Sequence, residues 1–97
     1  MAVTYLMLAR LPEGCLDAFD AYESAVLPLL AAYGGRLERR LRTLDDRVEA
    51  HLVAFPSSDD FAAYRADPQR ADAAPLLKSS GAVIELFAVR DVWPSES

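Results

Sequence analysis

Apolar and polar positions along the chain change period four times, and these changes together with one hairpin turn divide it into six elements. Val3–Arg10 is almost wholly apolar, as in a strand buried on both faces. Pro12, Glu13 and Gly14 then break the run. From Leu16 to Tyr33 the period becomes helical, with Leu16, Phe19, Tyr22, Val26, Leu30 and Tyr33 forming an inner stripe. Pro28 removes a backbone donor and predicts a kink near Ser24, and Gly34-Gly35 supplies the stop. Arg36–Leu44 and Arg47–Phe55 read as strands flanking Asp45-Asp46, a two-residue hairpin turn. That register sets Arg42 opposite Glu49, Arg40 opposite His51, Leu41 opposite Ala50 and Leu37 opposite Ala54.

A second helical stretch follows. Ser57 is its predicted cap, Asp59 and Asp60 suit the positive end of the helix, and Phe61 and Tyr64 form a short stripe. Asp67-Pro68 ends that helix and caps another, which continues through Ala71–Lys78 across Pro75 to a loop at Ser79-Ser80-Gly81. Ala82–Val92 reads as the last strand. The order is strand–helix–strand–strand–helix–strand. It predicts one domain over residues 1–92, with a tail at 93–97.

Parity along the strands makes two kinds of face. Leu37, Leu41, Val48, Ala50, Leu52 and Ala54 share one, with Arg39 as the exception. Glu38, Arg40, Arg42, Glu49, His51, Val53 and Phe55 share the other. In the last strand Ala82, Ile84, Leu86 and Ala88 are purely apolar, while Val83, Glu85, Phe87 and Val89 are mixed. Two helices cover one face of four strands, and the purely apolar face is the expected one. The mixed face is too apolar to lie open, so a second copy of the chain is its expected cover. Such a homodimer would enclose a space for a small apolar or aromatic ligand beside Tyr5, Glu49, His51, Val53, Glu85 and Phe87.

Composition narrows the classes. A chain of 97 residues has room for one core. A net charge of −5 argues against nucleic acid as a partner. No apolar run has the roughly 18 residues that span a bilayer, so no membrane partner is expected. Met1-Ala2-Val3-Thr4 lacks the basic segment of a secretory leader, and a cytoplasmic location is expected. Cys15 and His51 are the only cysteine and histidine, which makes an internal disulfide impossible and a zinc site a poor expectation. No metal site and no cofactor motif is read from the chain.

Two junctions carry a family resemblance. Phe55-Pro56-Ser57-Ser58-Asp59-Asp60-Phe61-Ala62-Ala63-Tyr64-Arg65-Ala66-Asp67-Pro68 resembles the strand-to-helix junction of dimeric α/β-barrel proteins, above all members with a domain of unknown function. Tyr33-Gly34-Gly35-Arg36-Leu37 resembles the helix-to-second-strand junction of the same proteins. The resemblance implies an α+β, ferredoxin-like βαββαβ protomer with strand order 4-1-3-2, forming a homodimeric α/β barrel. Relatives in that superfamily include cofactor-independent quinone-forming monooxygenases, haem-degrading enzymes, and polyketide aromatases or cyclases. The oxygenases often carry a histidine in the second helix. This chain has Tyr64 there, so their chemistry does not transfer.

Among candidate residues, His51 fits a general base or ligand contact near neutral pH. Its structural alternative is a strand histidine bonded to a neighbouring carboxylate. Glu85 is the expected catalytic partner of His51. Glu49 is a ligand contact, or else an ion-pair partner of Arg42 across the hairpin. Arg36, Arg39, Arg40 and Arg42 fit an anion site less well than an edge strand guarded against unwanted pairing. Three functional classes follow: a binder of a small apolar or aromatic molecule, a cofactor-independent monooxygenase or isomerase, or a structural dimer module.

Overall fold

The computed structural model describes residues 2–92, so the expected tail at 93–97 lies outside the described residues. Four strands, β1 (Val3–Arg10), β2 (Arg36–Arg42), β3 (Val48–Phe55) and β4 (Val83–Val89), form one antiparallel sheet in the order β2-β3-β1-β4. Helices α1 (Leu16–Val26), α2 (Ser58–Arg65) and α3 (Pro68–Ser80) complete an α+β, ferredoxin-like protomer with the strand order the resemblance implies.

Local chemistry accounts for the element ends. The α-helical period of α1 stops at Val26, and Leu27–Tyr33 continues as a 3-10 helix with Pro28 in its first turn. The predicted kink is therefore a change of helix type, placed where the proline's missing N–H costs least. Gly34 closes this segment with φ of 70°, a left-handed geometry that glycine adopts freely. The Ser57 side chain accepts from Asp60 N–H and caps α2, while Asp67 accepts from Gln69 N–H and caps α3. Helix α3 runs on to Ser80, beyond the expected stop at Lys78, because the Ser80 hydroxyl donates to Leu77 O at 2.6 Å and accepts from Ala82 N–H at 3.1 Å.

The hairpin keeps its predicted register at Arg42/Glu49, Leu41/Ala50 and Arg40/His51. Two details differ. Thr43 N–H donates to Val48 O, so the loop is Leu44–Arg47 rather than Asp45-Asp46 alone; it is tied by the Asp45 carboxylate, which accepts from the Thr43 hydroxyl and Arg47 N–H. A bulge between Leu37 and Arg39 then pairs Leu37 with Val53 instead of Ala54. The extra residue turns Leu37 toward the helices, while Arg39 and Leu41 stay on the opposite face.

The largest departure is which face the helices cover. All of them pack on the face carrying Glu49, His51, Val53 and Phe55, which are buried. Pairing with β1 places Tyr5 beside Val53, Met7 beside His51 and Ala9 beside Glu49, and pairing of β1 with β4 adds Ile84, Leu86 and Ala88 to this side. The other face carries Leu6, Leu8, Val48, Ala50, Leu52, Val83, Glu85, Phe87 and Val89, and no element of the described residues covers it. The expectation that the helices cover the purely apolar face of β3 is thus reversed. The polar groups of β3 belong inside the protomer, where the helices complete their network.

Candidate functional site

The covered face holds a connected set of ionisable side chains. Glu49, 1 % exposed, sits at its centre. Arg42 Nε donates to Glu49 Oε1 at 2.7 Å, and Arg40 Nε donates to Oε2 at 2.9 Å. Asp20 of α1 receives the far ends of both guanidinium groups, with Arg42 Nη2 at 2.5 Å and Arg40 Nη2 at 3.5 Å. Burial pushes the Glu49 carboxyl up, but the bonds from His51, Arg40 and Arg42 outweigh it and hold the group below the ordinary carboxylate range. The cross-strand pairing of Glu49 with Arg42 is therefore present, and Arg40 joins it.

His51 follows from that ionised carboxylate. Its Nε2 lies 2.5 Å from Glu49 Oε2. An ionised carboxylate can only accept, so Nε2 carries the hydrogen and Nδ1 carries the lone pair. Burial holds the imidazole below its ordinary pKa, against the opposing pull of Glu49. Nδ1 faces Glu23 of α1, whose Oε2 is 3.9 Å away. Glu23 is 3 % exposed, and its carboxyl has no hydrogen-bond partner among the described residues. Burial pushes this carboxyl up to about 7; Glu49 adds to the push, while Arg40 and Arg70 oppose it.

These groups border a cleft of about 230 Å³ between the helices and the sheet. Its walls are largely apolar, with Met7, Val26, Leu30, Val53, Leu77 and Leu86 among them. Its polar groups are His51, Glu23, Tyr22, Tyr64, Arg65 and Arg70. Arg70 Nη2 donates to the Tyr22 hydroxyl at 2.9 Å, and its guanidinium lies 4.6 Å from the centre of the Tyr64 ring. Arg70 Nε is buried without a hydrogen-bond partner among the described residues. Burial pushes the Tyr64 phenol up to about 12, so it stays protonated at neutral pH.

Of the residues singled out from sequence, His51 and Val53 line the cleft and Glu49 stands behind His51. Tyr5 shares their face but stacks on Phe61, with ring centres 3.9 Å apart. Glu85 and Phe87 do not join them. Leu8 pairs with Glu85 and Leu6 with Phe87, which puts both on the open face; there Glu85 accepts from Arg10 Nε at 2.9 Å. A shared His51–Glu85 site is therefore corrected: the sheet separates the two side chains. The acid that does face His51 is Glu23, which sequence reasoning missed although it lies within the Phe19, Tyr22, Val26 stripe. A carboxylate inside a helix's apolar stripe was the available signal.

Solved structures place this geometry among known folds. Searches against protein-family models and curated proteins found no match. SnoaB, a cofactor-independent oxygenase from Streptomyces nogalater, is 22% identical with a TM-score of 0.74, covering 97% of this chain and 98% of its own. Protein Atu4242 from Agrobacterium tumefaciens is 21% identical with a TM-score of 0.74, covering 99% and 98%. A NIPSNAP-like domain protein from Burkholderia xenovorans is 14% identical with a TM-score of 0.72, covering 99% and 90%. At these identities the likeness establishes the protomer fold, the α+β, ferredoxin-like fold that these proteins share.

Proposed function

We propose that this protein binds a small, largely apolar or aromatic molecule in the cleft between helices and sheet, and that it does so as a cytoplasmic homodimer joined through its open sheet faces. The observation that carries the reading is the cleft itself: apolar walls converging on a few polar groups, three of which, His51 Nδ1, Arg70 Nε and the Glu23 carboxyl, have unused hydrogen-bonding capacity. The Arg70 guanidinium, whose Nε has no partner among the described residues, borders the cleft, and His51 Nδ1 offers a lone pair to a hydroxyl of the ligand. Val53, Leu30 and Leu77 supply apolar contact. The homodimer rests on the open face, where Leu41, Val83, Phe87 and Val89 are exposed beside Leu6, Leu8 and Leu52. No helix among the described residues is long and apolar enough to cross a membrane.

Neighbouring residues on β4 allow a direct test, because Leu86 borders the cleft and Phe87 lies on the other face. N-phenyl-1-naphthylamine, a neutral fluorophore that brightens in apolar surroundings, serves as the probe. Leu86→Trp fills the mouth of the cleft and should weaken binding by about tenfold or more, a difference of ~1.4 kcal/mol. Phe87→Arg should leave the affinity within about twofold. The reverse pattern would move the ligand to the open face and end the proposal.

The oriented imidazole favours a second reading, a cofactor-independent monooxygenase or isomerase. Glu49 fixes the tautomer of His51 and stabilises its protonated form, leaving Nδ1 free to take a proton from a bound ligand. SnoaB, which shares the fold, is a cofactor-independent oxygenase. Glu85 has no part in this reading. His51→Gln should then abolish turnover of a hydroxylated aromatic substrate while its binding persists, and unchanged turnover would remove the enzymatic reading.

A further inference from the structure

His51 is flanked by two buried carboxyl groups, and the two differ in kind. Glu49 is held by Arg40 and Arg42, whereas Glu23 has neither a guanidinium nor a backbone N–H bonded to it. Its charge has been moved from water into the wall of an apolar cleft, and what remains of its contact with solvent lies on the cleft side and along a second groove. That groove runs between α1, the 3-10 segment and β2, past Ser24, Pro28, Ala31 and Leu37. A ligand filling the cleft would displace water from one side of the carboxyl and leave the groove as a path for a proton.

The groups facing Glu23 from the surrounding elements are Asp20 on α1, Arg40 on β2, Glu49 and His51 on β3, Tyr64 on α2 and Arg70 on α3. Two of these are acids and two are guanidinium groups. Arg40 is committed to Glu49 and Asp20, Arg70 Nη2 donates to Tyr22, and Arg70 Nε, buried without a partner among the described residues, is not bonded to Glu23. Once the cleft is dry, a charged Glu23 has no strong hydrogen-bond donor to replace the lost water, and a carboxyl in that position is favoured in its neutral form.

We propose that the cleft takes up a neutral, mostly apolar ligand together with one proton from solvent, which lodges on Glu23 and is shared with His51 Nδ1. One O–H bond forms on the carboxyl, and no other bond changes. The proton is then positioned against the ligand, as a donor from Glu23 or as an imidazolium backed by Glu49. The free carboxyl already sits near 7 through burial, so the coupling falls in the neutral range. Binding of such a ligand is therefore strongest at mildly acidic pH.

This inference rests on the cleft being the ligand site, and the test separates the two. N-phenyl-1-naphthylamine has no group that titrates between mildly acidic and mildly alkaline pH, so any pH dependence belongs to the protein. Its affinity for the wild type should be level at acidic pH and should fall above about pH 7, approaching tenfold per pH unit as one-proton linkage requires. Glu23→Gln should hold its affinity within about twofold over the same range. Calorimetry in phosphate and in Tris near pH 8 should count close to one proton taken up by the wild type and close to none by the variant. If Glu23→Gln fails to fold, the wild-type proton count decides. Binding that is independent of pH, or equally dependent in both proteins, overturns the proton coupling and leaves the ligand site standing. Absence of binding in both proteins at every pH overturns the site and the coupling together.

Discussion

The two faces of the sheet solve opposite problems with the same backbone. The covered face buries Glu49 and His51 among specific partners, with Glu23 of α1 set against His51. The open face carries Leu6, Leu8, Leu52, Val83 and Phe87, with Arg10 and Glu85 as its ion pair. A buried charge needs a fixed geometry, which helices of the same chain supply. An apolar surface needs only exclusion of water, which another copy of the chain can supply. The lesson is that the more polar side of a sheet can be its interior when its charges are paired.

Four substitutions can break or sharpen this contrast. Phe87→Arg places a charge in the middle of the open face and should abolish the homodimer, read by light scattering as a halved mass; a wild type that is monomeric at micromolar concentration would undo the argument. Glu49→Ala leaves Arg40, Arg42 and His51 without their common acceptor. It should cost about 3–5 kcal/mol in denaturant unfolding, the scale for breaking a buried pair. A loss below about 1 kcal/mol would show that the network behaves as a surface one.

Glu23→Gln should act in the opposite direction. The folded protein holds this carboxyl near 7, against 4.5 for an ordinary one. Below the lower value the group is neutral in folded and unfolded chains alike, and the substitution changes little. As pH rises the unfolded chain gives up the proton first, and the native state loses stability until the upper value is passed. The variant should therefore be the more stable by about 3 kcal/mol at pH 8 and equal to the wild type near the acid end. The smallest effect belongs to the open face. Arg10→Ala removes an ion pair whose side chains are 60% and 39% exposed, and should cost about 0–1 kcal/mol. A cost of several kcal/mol would show that the partner copy buries this pair too.

Much of the fold was legible because its punctuation is chemical. Pro28, Gly34, Ser57, Asp67 and Gly81 each sit where a helix changes or ends, and the Arg42/Glu49 register follows from parity about the hairpin. The facing of the sheet was not legible, for a definite reason. β1 lies between β3 and β4 and is apolar on both sides, so it carries no alternation to tie the parity of one neighbour to the other. Grouping Glu85 with His51 needed that missing link. Leu37 was misplaced by the bulge at Glu38, which adds a residue without any glycine to announce it. Glu23 was hidden because a stripe is read by its apolar members, and one acid among Phe19, Tyr22 and Val26 passes as surface.

The two stretches that carry the family resemblance meet in space. Gly35 lies so close to Phe55 that a β-carbon there would stand 2.7 Å from the ring, and one on Gly34 would stand 2.8 Å from Pro56. The Tyr33 hydroxyl donates to Asp67 at 2.5 Å. What reads as two separate signatures is one corner of the molecule, written twice along the chain. Such a corner is sterically coupled: a side chain at Gly35 needs room now taken by Phe55 and Leu30, and loss of Asp67 releases the Tyr33 hydroxyl. Pairs drawn from these two stretches should therefore change together across descendants of this gene, while positions such as Leu44 drift alone.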